Sequence, residues 1–194
     1  MITASTQRSQ VLSWLSENVS AHRLEHILGV EELCLKLAKH HQIDVEKAAN
    51  AGLFHDLAKF FPPKKLLSMA RAEGIEIDPI LAATPHLLHA DVSAIVARDE
   101  FGVKDKEILE AVRNHTLGRP GMSPMSCLVF VADVLEPNRG DSPQLALMRQ
   151  TAWDNLYRCV LQTTDYSLQY LIKTSRTIHP RTILTRNWAL QMCR

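Results

Sequence analysis

Apolar positions recur along this chain at spacings of three and four, without the sustained alternation that a half-buried strand would show. The pattern predicts an all-α fold. A first helix over about residues 5–18 carries Val11, Leu12 and Leu15 on one stripe, which packing explains fully. A second starts at Ser20, a suitable N-cap, and runs to His41 with His26, Val30, Leu33 and Leu37 on a shared face, so an imidazole points at the core. A third opens at Asp44 and aligns Ala48, Ala51, Gly52 and His55, where small side chains let a second helix approach. Lys59, three positions after Asp56, is expected one turn further along this same helix, which Pro62-Pro63 ends. The next helix spans about Pro63 to Glu73 and stops at Gly74.

From Ile75 to Pro85 the periodicity breaks into an expected loop that could wall a cleft. A helix over about Leu87 to Phe101, closed by Gly102, follows with His89, Val92, Ser93 and Val96 along its inner face; His86 at its entry serves equally well as a surface residue. Lys104 to His115 form another, with Ile108, Val112 and His115 on one face and the polar loop HTLGRPGM, containing Thr116 and Arg119, directly behind. Ser123-Pro124 starts a central helix, MSCLVFVADVLEP, that is apolar on nearly all sides. Asp133 is its one strong polar group, and a buried carboxylate needs a cation, a metal or dense hydrogen bonding beside it. Glu136 to Gly140 then breaks the helix and offers Arg139 as a bidentate phosphate donor. The remainder, Pro143 to Arg194, reads as two or three long helices, with Pro180 before the last, and no catalytic cluster is evident in it. With neither repeats nor linkers, residues 1–194 read as one domain: a catalytic core over about 20–139 and a helical C-terminal part over about 140–194.

Composition narrows the partner. Lys plus Arg total 22 and Asp plus Glu 21, a net charge of +1 that lacks the basic excess of a nucleic-acid binder, so a small molecule is the expected partner. Four scattered cysteines suggest reduced thiols rather than a disulfide framework. The amino terminus lacks an apolar signal region and no run approaches the ~18 apolar residues of a membrane helix. A cytoplasmic protein is expected, with a homodimer left open.

The candidate chemistry centres on the adjacent pair His55-Asp56. Counting core-facing groups gives His26, His55, Asp56, His89, His115 and Asp133: four imidazoles and two carboxylates, with no thiolate. That is too many for one structural zinc and suits two octahedral, partly open sites for iron or manganese, with Asp56 the natural bridge. A pair of ions ~3.5–4 Å apart could hold a bridging hydroxide.

The order His, His-Asp, Asp resembles the HD-domain phosphohydrolases, a helical superfamily of metal-dependent enzymes. The segments RLEHILGV, AGLFHDLAK, LLHADVSAIVA, NHTLGRPGMS, VADVLEPNR and the late Arg186-Asn187 resemble more closely its YqeK-type branch. The resemblance, over about Ala21 to Asn187, implies an HD-domain helical bundle with a helical C-terminal extension. It implies symmetrical hydrolysis of diadenosine tetraphosphate to two ADP. His26, His55, Asp56 and Asp133 would hold one metal and Asp56, His89 and His115 the second, iron being expected and manganese or cobalt alternatives. Asp56 and Lys59 would carry the catalysis, while Lys59, Arg139, Arg23, Arg119 and Thr116 would hold the polyphosphate. Rival readings are an HD hydrolase of a cyclic dinucleotide, guanosine tetraphosphate or a deoxynucleoside triphosphate, or a nucleotide-binding module without turnover.

Overall fold

Caps and prolines set where the helices of this protein begin. The computed structural model describes residues 4–194, with side chains from residue 8 onward; residues 1–3, part of the amino-terminal stretch discussed above, lie outside the described residues. Eleven α-helices and two 3-10 turns account for the ordered elements, and no strand occurs among the described residues. They are α1 (Ala4–Asn18), α2 (Ala21–His41), α3 (Val45–Phe54), α4 (Pro63–Ala72), α5 (Pro79–Ala83), α6 (His89–Asp99), α7 (Lys106–Asn114), α8 (Pro124–Leu135), α9 (Pro143–Asp154), α10 (Leu156–Lys173) and α11 (Pro180–Met192). Ser20, Asp44, Asp105, Ser123, Ser142 and Asn155 each accept a backbone N–H two or three residues on, satisfying donors that a helix start leaves open.

Helix α8 is the axis, its residues Met125 to Ala132 all buried, and α2, α3, α7, α9 and α10 pack around it. Gly52 brings α3 onto α2: a Cβ there would lie 3.0 Å from both Glu31 Cα and Cys34 Sγ. The core is aliphatic, with Leu15, Ile27, Leu37, Leu53, Leu88 and Leu128 fully enclosed. No helix among the described residues is long and apolar enough to cross a membrane.

Three elements differ from the sequence expectation. Helix α3 stops at Phe54, so Lys59 is not one turn further on the same helix; residues 55–60 wind as tight turns with Leu57 N–H to Phe54 O and Lys59 N–H to Asp56 O, and Ser93 Oγ takes the Ala58 N–H at 2.9 Å. The stretch expected as a loop contains α5, because Asp78 Oδ1 caps Ile80 and Leu81 at 2.8 Å each and Pro79 fits a first helical turn. The helix expected from Leu87 is divided: a 3-10 turn, Pro85–Leu88, precedes α6, which opens on His89 itself.

Candidate metal centre and its cleft

Each imidazole of the cluster is oriented by what its outer nitrogen touches. His55 Nδ1 meets Gly52 O at 2.7 Å, His115 Nδ1 meets Val112 O at 2.8 Å, and His89 Nδ1 meets His86 O. His26 Nδ1 meets Glu136 Oε1 at 3.0 Å. A carbonyl or carboxylate oxygen accepts, so each Nδ1 carries the proton and each Nε2 keeps its lone pair. All four Nε2 atoms face inward, His26 to His55 at 3.3 Å and His89 to His115 at 3.0 Å. Lone pairs opposed at that distance call for a cation.

Asp56, 1% exposed, stands between the two imidazole pairs and gives each a separate oxygen. Its Oδ2 lies 3.5 Å from His55 Nε2 and 3.9 Å from His26 Nε2; its Oδ1 lies 3.2 Å from His89 Nε2 and 3.5 Å from His115 Nε2. That Oδ1 is buried without a hydrogen-bond donor. Asp133 Oδ1 completes the first set, 3.1 Å from His26 Nε2 and 3.8 Å from His55 Nε2. Ligands bound at about 2.1 Å around one octahedral ion are separated by roughly 3 Å when adjacent and 4.2 Å when opposite, and the separations above fall in that interval. The donor set therefore fits one divalent ion among His26, His55, Asp56 and Asp133, and another among Asp56, His89 and His115.

The electrostatics favour the ligating forms. Burial lowers the His55 pKa to about 3 and that of His89 to about 4, against the opposing pull of Asp56, so both rings are neutral near pH 7. Burial opposes ionisation of Asp56, yet the carboxyl is held well below the usual carboxylate range, with Lys59 the permanent cation among the neighbours that lower it.

Three cations ring the donors. Arg23 Nη1 donates to Asp56 Oδ2 at 2.8 Å, Lys59 Nζ lies 3.1 Å from His89 Nε2, and Arg139 Nη2 donates to Asp133 Oδ1 at 2.6 Å. Thr116 Oγ1 lies 3.1 Å from His89 Nε2 and 3.0 Å from His115 Nε2. Lys59, Thr116 and Arg139 also line a cleft of about 500 Å³ beside the cluster. Arg119 is not brought to it; its guanidinium pairs with Glu110 on the outer side of α7. Asp133, near the end of α8, is one-fifth exposed rather than enclosed.

Two features escaped the sequence reading. Glu136, expected only to break α8, is 1% exposed and fixes His26 through Oε1 while its Oε2 accepts from Asn138 N–H at 2.7 Å. The C-terminal part, expected to hold no site residues, supplies a wall of the cleft through Tyr166, Ser167, Tyr170 and Leu171 of α10 and Thr182 of α11. The four-residue spacing of the two tyrosines was the available signal, but it reads equally as a packing stripe.

The HD domain family model matches residues 23–138, which includes all six clustered donors. The chain is 35% identical over 181 residues to the symmetrical bis(5'-nucleosyl)-tetraphosphatase of Bacillus subtilis, covering 93% of this chain and 96% of that protein. It is 34% identical to the protein of the same name from Halalkalibacterium halodurans, covering 94% and 97%. The crystal structure of a "predicted HD superfamily hydrolase involved in NAD metabolism" from Clostridium acetobutylicum superposes with a TM-score of 0.91 at 31% identity, covering 95% of this chain and 97% of that one.

Proposed function

The chain belongs to the HD domain family, and from that membership we propose that it is a metal-dependent hydrolase that cleaves diadenosine tetraphosphate symmetrically into two ADP. The observation that carries this reading is the division of Asp56, one oxygen toward each imidazole pair. The names and coverage of the relatives support the substrate.

We assign His26, His55, Asp56 and Asp133 to one divalent ion and Asp56, His89 and His115 to a second, iron preferred over manganese or cobalt. Such a pair supplies Lewis acidity toward a phosphoryl oxygen and draws the pKa of water toward ~7. The chain's own part is positional. Each Nδ1–H is held by an outward acceptor, so each ring offers its Nε2 without rearrangement. Arg23 restrains Asp56 from behind. Lys59 and Thr116 border the second donor set and Arg139 the first, so cationic and hydroxyl donors flank the place where phosphates must lie. Arg119 drops out of this set because Glu110 holds it elsewhere. The C-terminal helices, as a wall of the cleft, are read as part of the same catalytic unit, and three buried, unpaired cysteines support a cytoplasmic setting.

The test is product analysis of purified, metal-supplemented protein against a nucleotide panel containing diadenosine tetraphosphate, guanosine tetraphosphate, a cyclic dinucleotide and deoxynucleoside triphosphates. ADP as the sole early product of diadenosine tetraphosphate is expected. ATP with AMP, or turnover confined to another member of the panel, would overturn the reading.

A further inference from the structure

The cleft beside the metal cluster does not end at its main lobe. A second lobe of about 330 Å³ continues from it, and the two share Leu87, Leu117, Leu171 and Thr182 as a common wall. The lobes differ in chemistry. The main one is lined by Tyr166 and Tyr170 together with Lys59 and Arg139, whereas the second is lined by His86, Ser175, Arg176 and His179 with Thr84 and Thr177.

Given the symmetrical hydrolase reading, on which this inference rests, we propose that the second lobe is the subsite for the far half of the dinucleotide, holding its nucleoside and the attached phosphate. A substrate with a nucleoside at each end needs room for two nucleotides; the main lobe borders both donor sets, and the second lobe continues the cleft beyond them. Positive charge marks the track between the lobes. Lys59 lines the main lobe and Arg176 the second, so each lobe presents a cation. Arg176 is exposed, has no carboxylate partner among the described residues, and lies 5.6 Å over the ring of Tyr170, which lines the main lobe. An unpaired guanidinium braced on an aromatic face is suited to a phosphate oxygen.

The backbone around the lobe is firmly built. Two residues past the end of α10, Ser175 has φ 51°, a left-handed conformation usually filled by glycine, held by Ser175 N–H to Ile172 O and Arg176 N–H to Leu171 O. That closure turns the serine and Arg176 into the lobe. The opposite side is tied down by His179, whose Nε2–H donates to Asp78 Oδ2 at 2.8 Å while its Nδ1 accepts from Arg181 N–H.

The experiment titrates manganese-loaded full-length protein with ADP by calorimetry and measures hydrolysis of diadenosine tetraphosphate in parallel, for the wild type, Arg176→Ala and Arg176→Glu. Two ADP per chain are expected in the wild type, with one of the two sites weakened about tenfold in Arg176→Ala and more in Arg176→Glu. KM should rise about tenfold in Arg176→Ala, the effect of one hydrogen bond to a charged group, and further in Arg176→Glu, with the loss falling on KM rather than kcat. One ADP per chain in the wild type, or variants whose ADP affinities and KM match it, would overturn the subsite. Failure of the wild type to cleave diadenosine tetraphosphate would instead remove the catalytic reading, and the ADP stoichiometry would still report on the lobe.

Discussion

Gly29→Ala sets two effects of similar size against each other, and the structure decides between them. Gly29 is inside α2, where alanine is favoured over glycine by about 1 kcal/mol. A Cβ on Gly29 would, however, sit 2.6 Å from Glu136 Oε2 and 3.3 Å from its carboxyl carbon. Reaching an ordinary contact of 3.4 Å needs a shift of about 0.8 Å (3.4 − 2.6). Glu136 has little freedom to make it: the residue is 1% exposed, with one oxygen on His26 Nδ1 at 3.0 Å and the other on Asn138 N–H at 2.7 Å. Losing one of those bonds in a buried setting costs roughly 1–3 kcal/mol, so the clash should cancel or exceed the helix gain. The second consequence is chemical. With its carboxylate partner displaced, His26 is no longer held in the tautomer that presents Nε2, and changes of this kind typically weaken metal binding by about 10–100-fold. Manganese titration with urea unfolding of the metal-free protein checks both, and a Gly29→Ala/Glu136→Ala double variant should show strong non-additivity because the clash is then absent. A Gly29→Ala protein about 1 kcal/mol more stable than the wild type, binding manganese as tightly, would refute the coupling of Gly29, Glu136 and His26.

Asp56→Ala should abolish hydrolysis and deplete both ions, whereas His115→Ala should leave the first ion largely in place; equal losses by elemental analysis would exclude a shared Asp56. Lys59→Ala should reduce kcat/KM at least tenfold with metal content unchanged, since an ammonium cannot ligate and its assigned partner is phosphate; metal loss like that of Asp56→Ala would contradict this. Arg119→Ala should keep kcat/KM within about twofold of the wild type, because its partner is Glu110 and surface ion pairs contribute little; a tenfold fall would return Arg119 to the substrate-binding set.

The helices and the inward aim of the clustered imidazoles were legible because both depend on local pattern. His26, His89 and His115 share faces with aliphatic residues at three- and four-residue spacings, and those faces are buried here except for Leu33 beside His26, which is partly buried. What was not legible depends on which partner each side chain meets once the elements are packed. Arg119 and Arg139 are both arginines in polar loops after a helix, and nothing local tells that one turns to Glu110 and the other to Asp133. The wall from α10 was hidden for a related reason: Tyr166 and Tyr170 face a cleft only because α10 packs across α8, a contact that periodicity cannot assign. The end of α3 at Phe54 likewise follows from Ser93, on another helix, capturing the Ala58 N–H.

The same contrast between local and remote control operates inside the cluster. His55, His89 and His115 each direct Nδ1 at the carbonyl three residues earlier, Gly52, His86 and Val112 respectively. They can do so because each stands at the junction of a helix with a turn, where carbonyls lack their full set of intrahelical partners. Their tautomers are therefore built in wherever the local turn forms. His26 is different. It is the sixth residue of a twenty-one-residue helix, where neighbouring carbonyls are engaged by the helix itself, so its outer nitrogen needs a partner from elsewhere. Glu136 supplies it from 110 positions away, and Gly29, one turn beyond His26 on α2, leaves the space through which the carboxylate reaches. Of the four imidazoles, His26 is thus the one whose tautomer depends on tertiary structure, which ties the first donor set to the junction of α2 with the end of α8 while the second set rests on local turns joined through Asp56.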